Sequence, residues 1–131
     1  MVILDTSIII EHLRSTAKKG TILMQVAQKM ARENLAISII TVQELYEGQS
    51  TKEKEKENYL LATITPLKIL SYTYEIAQLA GEIARDLQKP IEFADAAIAA
   101  TAIVNGASLL TLNTKDFLGI QELELYSLAK K

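Results

Sequence analysis

Four short apolar runs, each set apart from the next by stretches whose apolar residues recur at helical spacing, constrain this chain more than any other feature. The runs are residues 2–5, 36–40, 67–70 and 108–112. They are β-branched or leucine-rich and too short for helices, so they read as strands. The intervening segments read as helices. One runs through Ile8 to about Arg14. A second starts at Thr21, with Ile22, Leu23, Val26, Ala27, Met30 and Ala31 on one face. A third starts at Thr41 and breaks near Gly48. A fourth carries Tyr59, Leu60, Leu61 and Ile64 and stops at Pro66. Residues 73–88 place Ile76, Leu79, Ala80, Ile83 and Leu87 on one face before Pro90. Residues 93–104 are almost all Ala and Ile, which implies burial on most sides, and Asn105-Gly106 closes that helix. Strands alternating with helices give an α/β fold with a mostly parallel, helix-covered sheet. Leu123-Glu124-Leu125-Tyr126 adds a weaker run, for about five strands in all.

The 131 residues fit one compact domain, 1–131, long enough to bury roughly two thirds of its unfolded surface. There is no cysteine, which excludes disulfides, zinc–thiolate sites and a cysteine nucleophile. Residues 1–5 lack the basic and long apolar regions of a signal peptide, and no apolar stretch reaches the roughly 18 residues of a membrane span, so the expected location is the cytoplasm. A formal net charge of −2 argues against a strongly basic polyanion binder. Scattered cations remain candidates for lining a groove: Arg14, Lys18, Lys19, Arg85, Lys89 and Lys115. The alternating Lys-Glu run at 52–57 reads as a solvated face.

Four carboxylates punctuate this pattern. Asp5 ends the first run, Glu44 follows the second by a few residues, Asp95 heads the Ala-rich helix, and Asp116 follows the run ending in Leu112. In an open parallel sheet, ligands bind beyond the strand carboxyl ends. Acids gathered there repel one another unless a cation joins them, which points to a hard divalent metal and phosphodiester chemistry. Each acid also has a purely structural reading. Asp5 can be a helix cap, although Ser7 could serve instead. Thr41-Val42-Gln43-Glu44 has the form of a capping box, with Glu47 one turn later as a decoy. Asp95 can simply meet the positive end of its helix dipole, yet a charge among alanines is costly without a partner. Glu92, one turn earlier, reads as an outer or surface residue. Asp116 can be a first-turn acid, a ligand or the holder of a metal-bound water, while Phe117 anchors its turn. The single histidine, His12, reads as a surface or packing residue. No Gly-rich phosphate loop or Ser/His/Asp set is present.

The acids together carry a resemblance. Val2-Ile3-Leu4-Asp5-Thr6-Ser7, Thr41-Val42-Gln43-Glu44-Leu45, the stretch from Phe93 through Asp95 to Ala102, and the stretch from Leu110 through Asp116 to Phe117 resemble, in order, the four acidic motifs of PIN-domain nucleases. Size and order are similar to the VapC-type ribonuclease toxins of toxin–antitoxin pairs. The resemblance implies a three-layer fold with helices on both faces of the sheet, and a Mg²⁺- or Mn²⁺-dependent endoribonuclease. It also implies a homodimer and a cognate antitoxin partner. Asp5, Glu44, Asp95 and Asp116 match the family's acidic positions. Asp5 and Asp95 would ligate the metal, Glu44 and Asp116 would be ligands or water-holders, and Thr6, Ser7 and Asn113 would support them. Asn113 stands where some members carry another acid, which leaves one or two ions open. Two rivals stay in view. An Asp-dependent phosphoryl-transfer enzyme of the dehalogenase type would want an Asp at position 7, and a receiver would want one after the third strand, where Leu70-Ser71-Tyr72 has none. A PIN-like binding module without catalysis would use all four acids as caps.

Overall fold

Residues 2–4 are apolar and extended, and their pleat alternates sides, so they can fill two cores at once. A computed structural model describes residues 1–15 and 20–128. In it Val2–Leu4 is the central strand β1. Val2 and Leu4 face a core built with Ile8, Ile9, Leu23, Val26, Leu35, Ile37, Leu45, Leu60 and Ile64. Ile3 faces the other way, onto Ala36, Ile98, Ala99, Ala102 and Leu109. The chain is thus layered helix, sheet, helix.

The elements follow in order. Helix α1 spans Thr6–Arg14 and α2 Ile22–Lys29; β2 is Leu35–Ser38 and α3 Ile39–Glu47; α4 is Lys54–Ile64 and β3 Lys68–Leu70. Helix α5 is Tyr74–Asp86, α6 Phe93–Val104, and β4 Ser108–Leu110. The sheet order is β3-β2-β1-β4 with every pair parallel. Val2 registers with both Leu35 and Ser108, and Ser38 with Leu70. The chain leaves β1 toward β2 on one side and returns through β4 on the other, so the carboxyl end of β1 lies at the switch point where open sheets hold ligands.

Two expectations are corrected. The second strand stops at Ser38 rather than at residue 40, because the Ser38 hydroxyl accepts the Ile40 N–H and starts the helix there. The fifth strand does not form among the described residues. Leu125 makes one isolated parallel bridge with Leu109, through Leu109 N–H to Glu124 and Tyr126 N–H to Leu109. In a parallel strand only alternate residues offer both backbone groups to one side. A three-residue β4 therefore has Leu109 alone to offer at its outer edge. The other helix boundaries agree with the sequence to within a few residues. Thr21 and Thr73 cap α2 and α5, and Gly106 takes the left-handed conformation (φ 64°) that ends α6. The run at 52–57 is the exposed start of α4 and the turn before it. Among the described residues no helix is long and apolar enough to cross a membrane.

Candidate active site

Asp5 leaves the end of β1 with a backbone suited to capping α1, but its side chain makes no cap bond. It is 4% exposed, and its Oδ2 instead accepts the Ser7 hydroxyl at 2.8 Å and the Thr111 hydroxyl at 2.7 Å. Both hydroxyls are themselves held by the chain leaving β4. Leu112 N–H donates to Ser7 Oγ at 3.1 Å, and Asn113 N–H donates to Thr111 Oγ1 at 3.0 Å. A carboxylate at the first strand's end is thereby tied to the loop after the last strand. Thr111 was not among the residues singled out from sequence; a hydroxyl directly after the strand paired with β1 is the signal for it.

Glu44 does not close a capping box. Ser38 is the cap of α3, which puts Thr41 within the first turn and Glu44 nearly two turns in, out of reach of the cap amide. Its Oε1 accepts the Thr6 hydroxyl at 2.5 Å, and Thr6 shares a second bond of 2.9 Å with the wholly buried Thr41. Thr6 thus aims Glu44 toward the start of α1. Glu47 is exposed and accepts a bond from Gln43.

Asp95 lies in the first turn of α6, whose next residues are buried, Ile98, Ala99 and Ala102 against the sheet and Ala96 and Ala100 against α5. Its carboxyl is pushed up to about 6, first by burial and then by the charges of Asp5, Asp116, Glu44 and Glu92. All four predicted acids therefore lie within electrostatic reach of one point. Asp116 is exposed on a 3₁₀ turn, Thr114–Phe117, that is pinned by buried Phe117. The Asp116 N–H donates to the Asn113 carbonyl, and the Lys89 ammonium donates to the Lys115 carbonyl. The Asn113 side chain makes no cap bond.

Among the described residues no ion pair compensates this cluster. The ion pairs among the described residues are Lys56–Glu53 and Arg85–Asp86, both on the surface. Arg85 is thereby engaged on α5, and Lys18 and Lys19 lie outside the described residues. No group of three or more His, Asp or Glu side chains among the described residues is set to hold a metal ion as it stands. The donors are nevertheless all hard carboxylate oxygens without a counter-charge, which fits Mg²⁺ or Mn²⁺, since such an ion takes one or two protein carboxylates and keeps its waters. His12 takes no part. It is buried between α1, α2 and α4, bonded to the Thr21 hydroxyl at 2.7 Å and to the Tyr59 hydroxyl at 3.2 Å, so of the two readings the packing one holds.

The sequence matches the family model described as PIN domain over residues 2–123, a span that takes in all four acids and every strand. The chain belongs to the PIN domain family. Ribonuclease VapC10 of Mycobacterium tuberculosis is 32% identical to this PIN protein over 129 residues, 95% of this chain and 91% of that one. Among solved structures, VapBC2 from Rickettsia felis bound to a promoter DNA fragment superposes with a TM-score of 0.80 at 25% identity, covering 95% of this chain and 96% of that chain. VapBC-1 from nontypeable Haemophilus influenzae gives 0.79 at 27% identity, with 98% of both chains covered. The fold of this chain is therefore similar to theirs along nearly its whole length.

Proposed function

We propose that this PIN-domain protein is a metal-dependent endoribonuclease that cleaves RNA phosphodiester bonds, the toxin half of a toxin–antitoxin pair. What supports the reading is that the charges of Asp5, Asp116 and Glu44 all bear on the half-buried Asp95, while no ion pair among the described residues involves any of the four. The ribonuclease name of VapC10 supports the reaction, and the VapBC complexes support an antitoxin as partner. Residues 1–131 act as one nuclease domain, as a homodimer, in the cytoplasm where RNA is met.

Asp5 and Asp95 would hold Mg²⁺ or Mn²⁺, with Glu44 and Asp116 as further ligands or as acceptors for its waters. When bound, such an ion supplies Lewis acidity toward a phosphoryl oxygen and lowers the pKa of water. The protein's own part is positional. Ser7 and Thr111 fix Asp5 by occupying Oδ2, which would leave its other oxygen for an ion. Thr6 fixes Glu44. The turn anchored by Phe117 carries Asp116, which would serve as a ligand or hold a metal-bound water by a hydrogen bond. Asn113 supports the site through its backbone, which bonds both Thr111 and Asp116. The direct test is cleavage of single-stranded RNA with Mg²⁺ or Mn²⁺ by wild type and Asp95→Asn. Loss in the variant is expected; equal cleavage by both proteins overturns the assignment.

A further inference from the structure

A groove of about 540 Å³ opens beside Asp5 and is lined by Ser7, Ile10, Glu11 and Arg14 of α1 and by Leu112 and Asn113. The four α1 residues are spaced i, i+3, i+4 and i+7, a single stripe along one helix face. At one end Ser7 bonds Asp5. At the other end stands exposed Arg14, which makes no ion pair among the described residues. Seven residues of helix put these ends about 10 Å apart along the axis. Glu11, midway, would repel an anion if it were free, but its Oε1 accepts the Ile22 N–H at the start of α2 at 3.1 Å. Its charge still lines the groove, but it is partly offset by the positive end of α2 that it caps.

We propose that this α1 stripe is the track for the RNA strand flanking the cleaved bond, with the Arg14 guanidinium holding a phosphate beyond the scissile one. The assignment rests on the ribonuclease reading. A chain with net charge −2 whose site is ringed by acids gives a polyanion little general attraction, so a discrete cation along the exit path has a large effect on where the strand lies. Apolar Ile10 and Leu112 line the same groove and give a base face something to rest on. Arginine suits the task because its planar fork meets two phosphate oxygens at once. As a residue in the last turn of α1, Arg14 also faces the negative helix end, and the test must separate the two roles.

Steady-state cleavage of a single-stranded RNA with Mn²⁺ is measured across a range of NaCl concentrations for wild type, Arg14→Gln and Arg14→Lys. The expected result for Arg14→Gln is a KM about fivefold to tenfold higher with kcat little changed, and a slope of log KM against log salt smaller by about 0.7, the share of one phosphate contact on a single strand. Arg14→Lys should restore the slope, because a point charge still releases a counterion, while recovering only part of the KM. A helix-end role alone would lower the melting temperature and leave the salt slope untouched, which overturns the proposal. Unchanged KM and slope in Arg14→Gln also overturn it and give the groove to another occupant, such as an acidic protein segment. Failure of the wild type itself to cleave RNA is a different result, since it removes the ribonuclease reading.

Discussion

The Thr6 hydroxyl donates its one proton to Glu44 Oε1 at 2.5 Å, so its 2.9 Å bond to Thr41 must have the Thr41 hydroxyl as donor. This short relay joins the start of α1 to α3 and sets the direction of one site acid. Thr6→Val keeps the shape and removes the relay, leaving the buried Thr41 hydroxyl without its acceptor. A loss of about 1–3 kcal/mol is expected, the cost of orphaning a buried polar group. The Thr6→Val/Thr41→Val double variant should lose less than the sum of the single variants, because it removes both partners. Urea unfolding of the four proteins measures this directly, and strict additivity would refute the relay.

Asp95→Asn should separate stability from function. The amide removes a negative charge pressed by Asp5, Asp116 and Glu44. The metal-free variant should therefore melt at a higher temperature than wild type near neutral pH. RNA cleavage should fall about a hundredfold or more, because the ion it would help to hold contributes several kcal/mol to the transition state. A variant that is both less stable and fully active would contradict both halves.

Two groups give the metal-free protein opposing pH dependences. The Asp95 carboxyl is raised to about 6 from an ordinary 3.8, so the folded state binds a proton that the unfolded chain has released. Its contribution is complete below 3.8 and is lost as pH rises through about 6. His12 is lowered from 6.5, chiefly by burial, against the opposing pull of Glu11. Its contribution is present above 6.5 and is lost as pH falls. Thermal melts between about pH 4.5 and 7.5 should therefore show Asp95→Asn losing stability on acidification more steeply than wild type. His12→Gln should lose it less steeply. Parallel curves for all three proteins would rule out both linkages.

Added Mn²⁺ should raise the melting temperature at neutral pH, since a ligand that binds only the folded state stabilises it by about 2.7 kcal/mol at a hundred times its Kd. The increase should shrink on acidification as protons compete for Asp95, and should largely vanish in Asp95→Asn. No shift at millimolar Mn²⁺ would favour a PIN-like binding module over an enzyme.

The layered architecture was legible because hydrophobic period and length separate strands from helices cleanly here. The acids were legible because each follows an apolar run or heads a buried helix. What sequence did not yield was local competition. Ile39 and Ile40 continue a β-branched run and look like strand, but Ser38 offers a cap two residues before Ile40 and the backbone takes the helix. That choice also dissolved the capping box at Thr41, whose hydroxyl serves Thr6 instead. The segment 123–126 has strand composition, yet pairing depends on what the neighbouring edge offers, and a three-residue β4 offers one residue. His12 could not be placed from a one-residue signal, because its partners Thr21 and Tyr59 come from two other helices.

The pairing of β1 with β4 has a consequence in time as well as in space. Asp5 is synthesised more than a hundred residues ahead of Thr111, whose hydroxyl holds its carboxylate. A nascent chain that has reached only α6 carries three of its acids but lacks the partner strand that seats the first of them. The seating of Asp5 therefore waits on the arrival of β4, so the site cannot take its final form until two strands far apart in the chain have met.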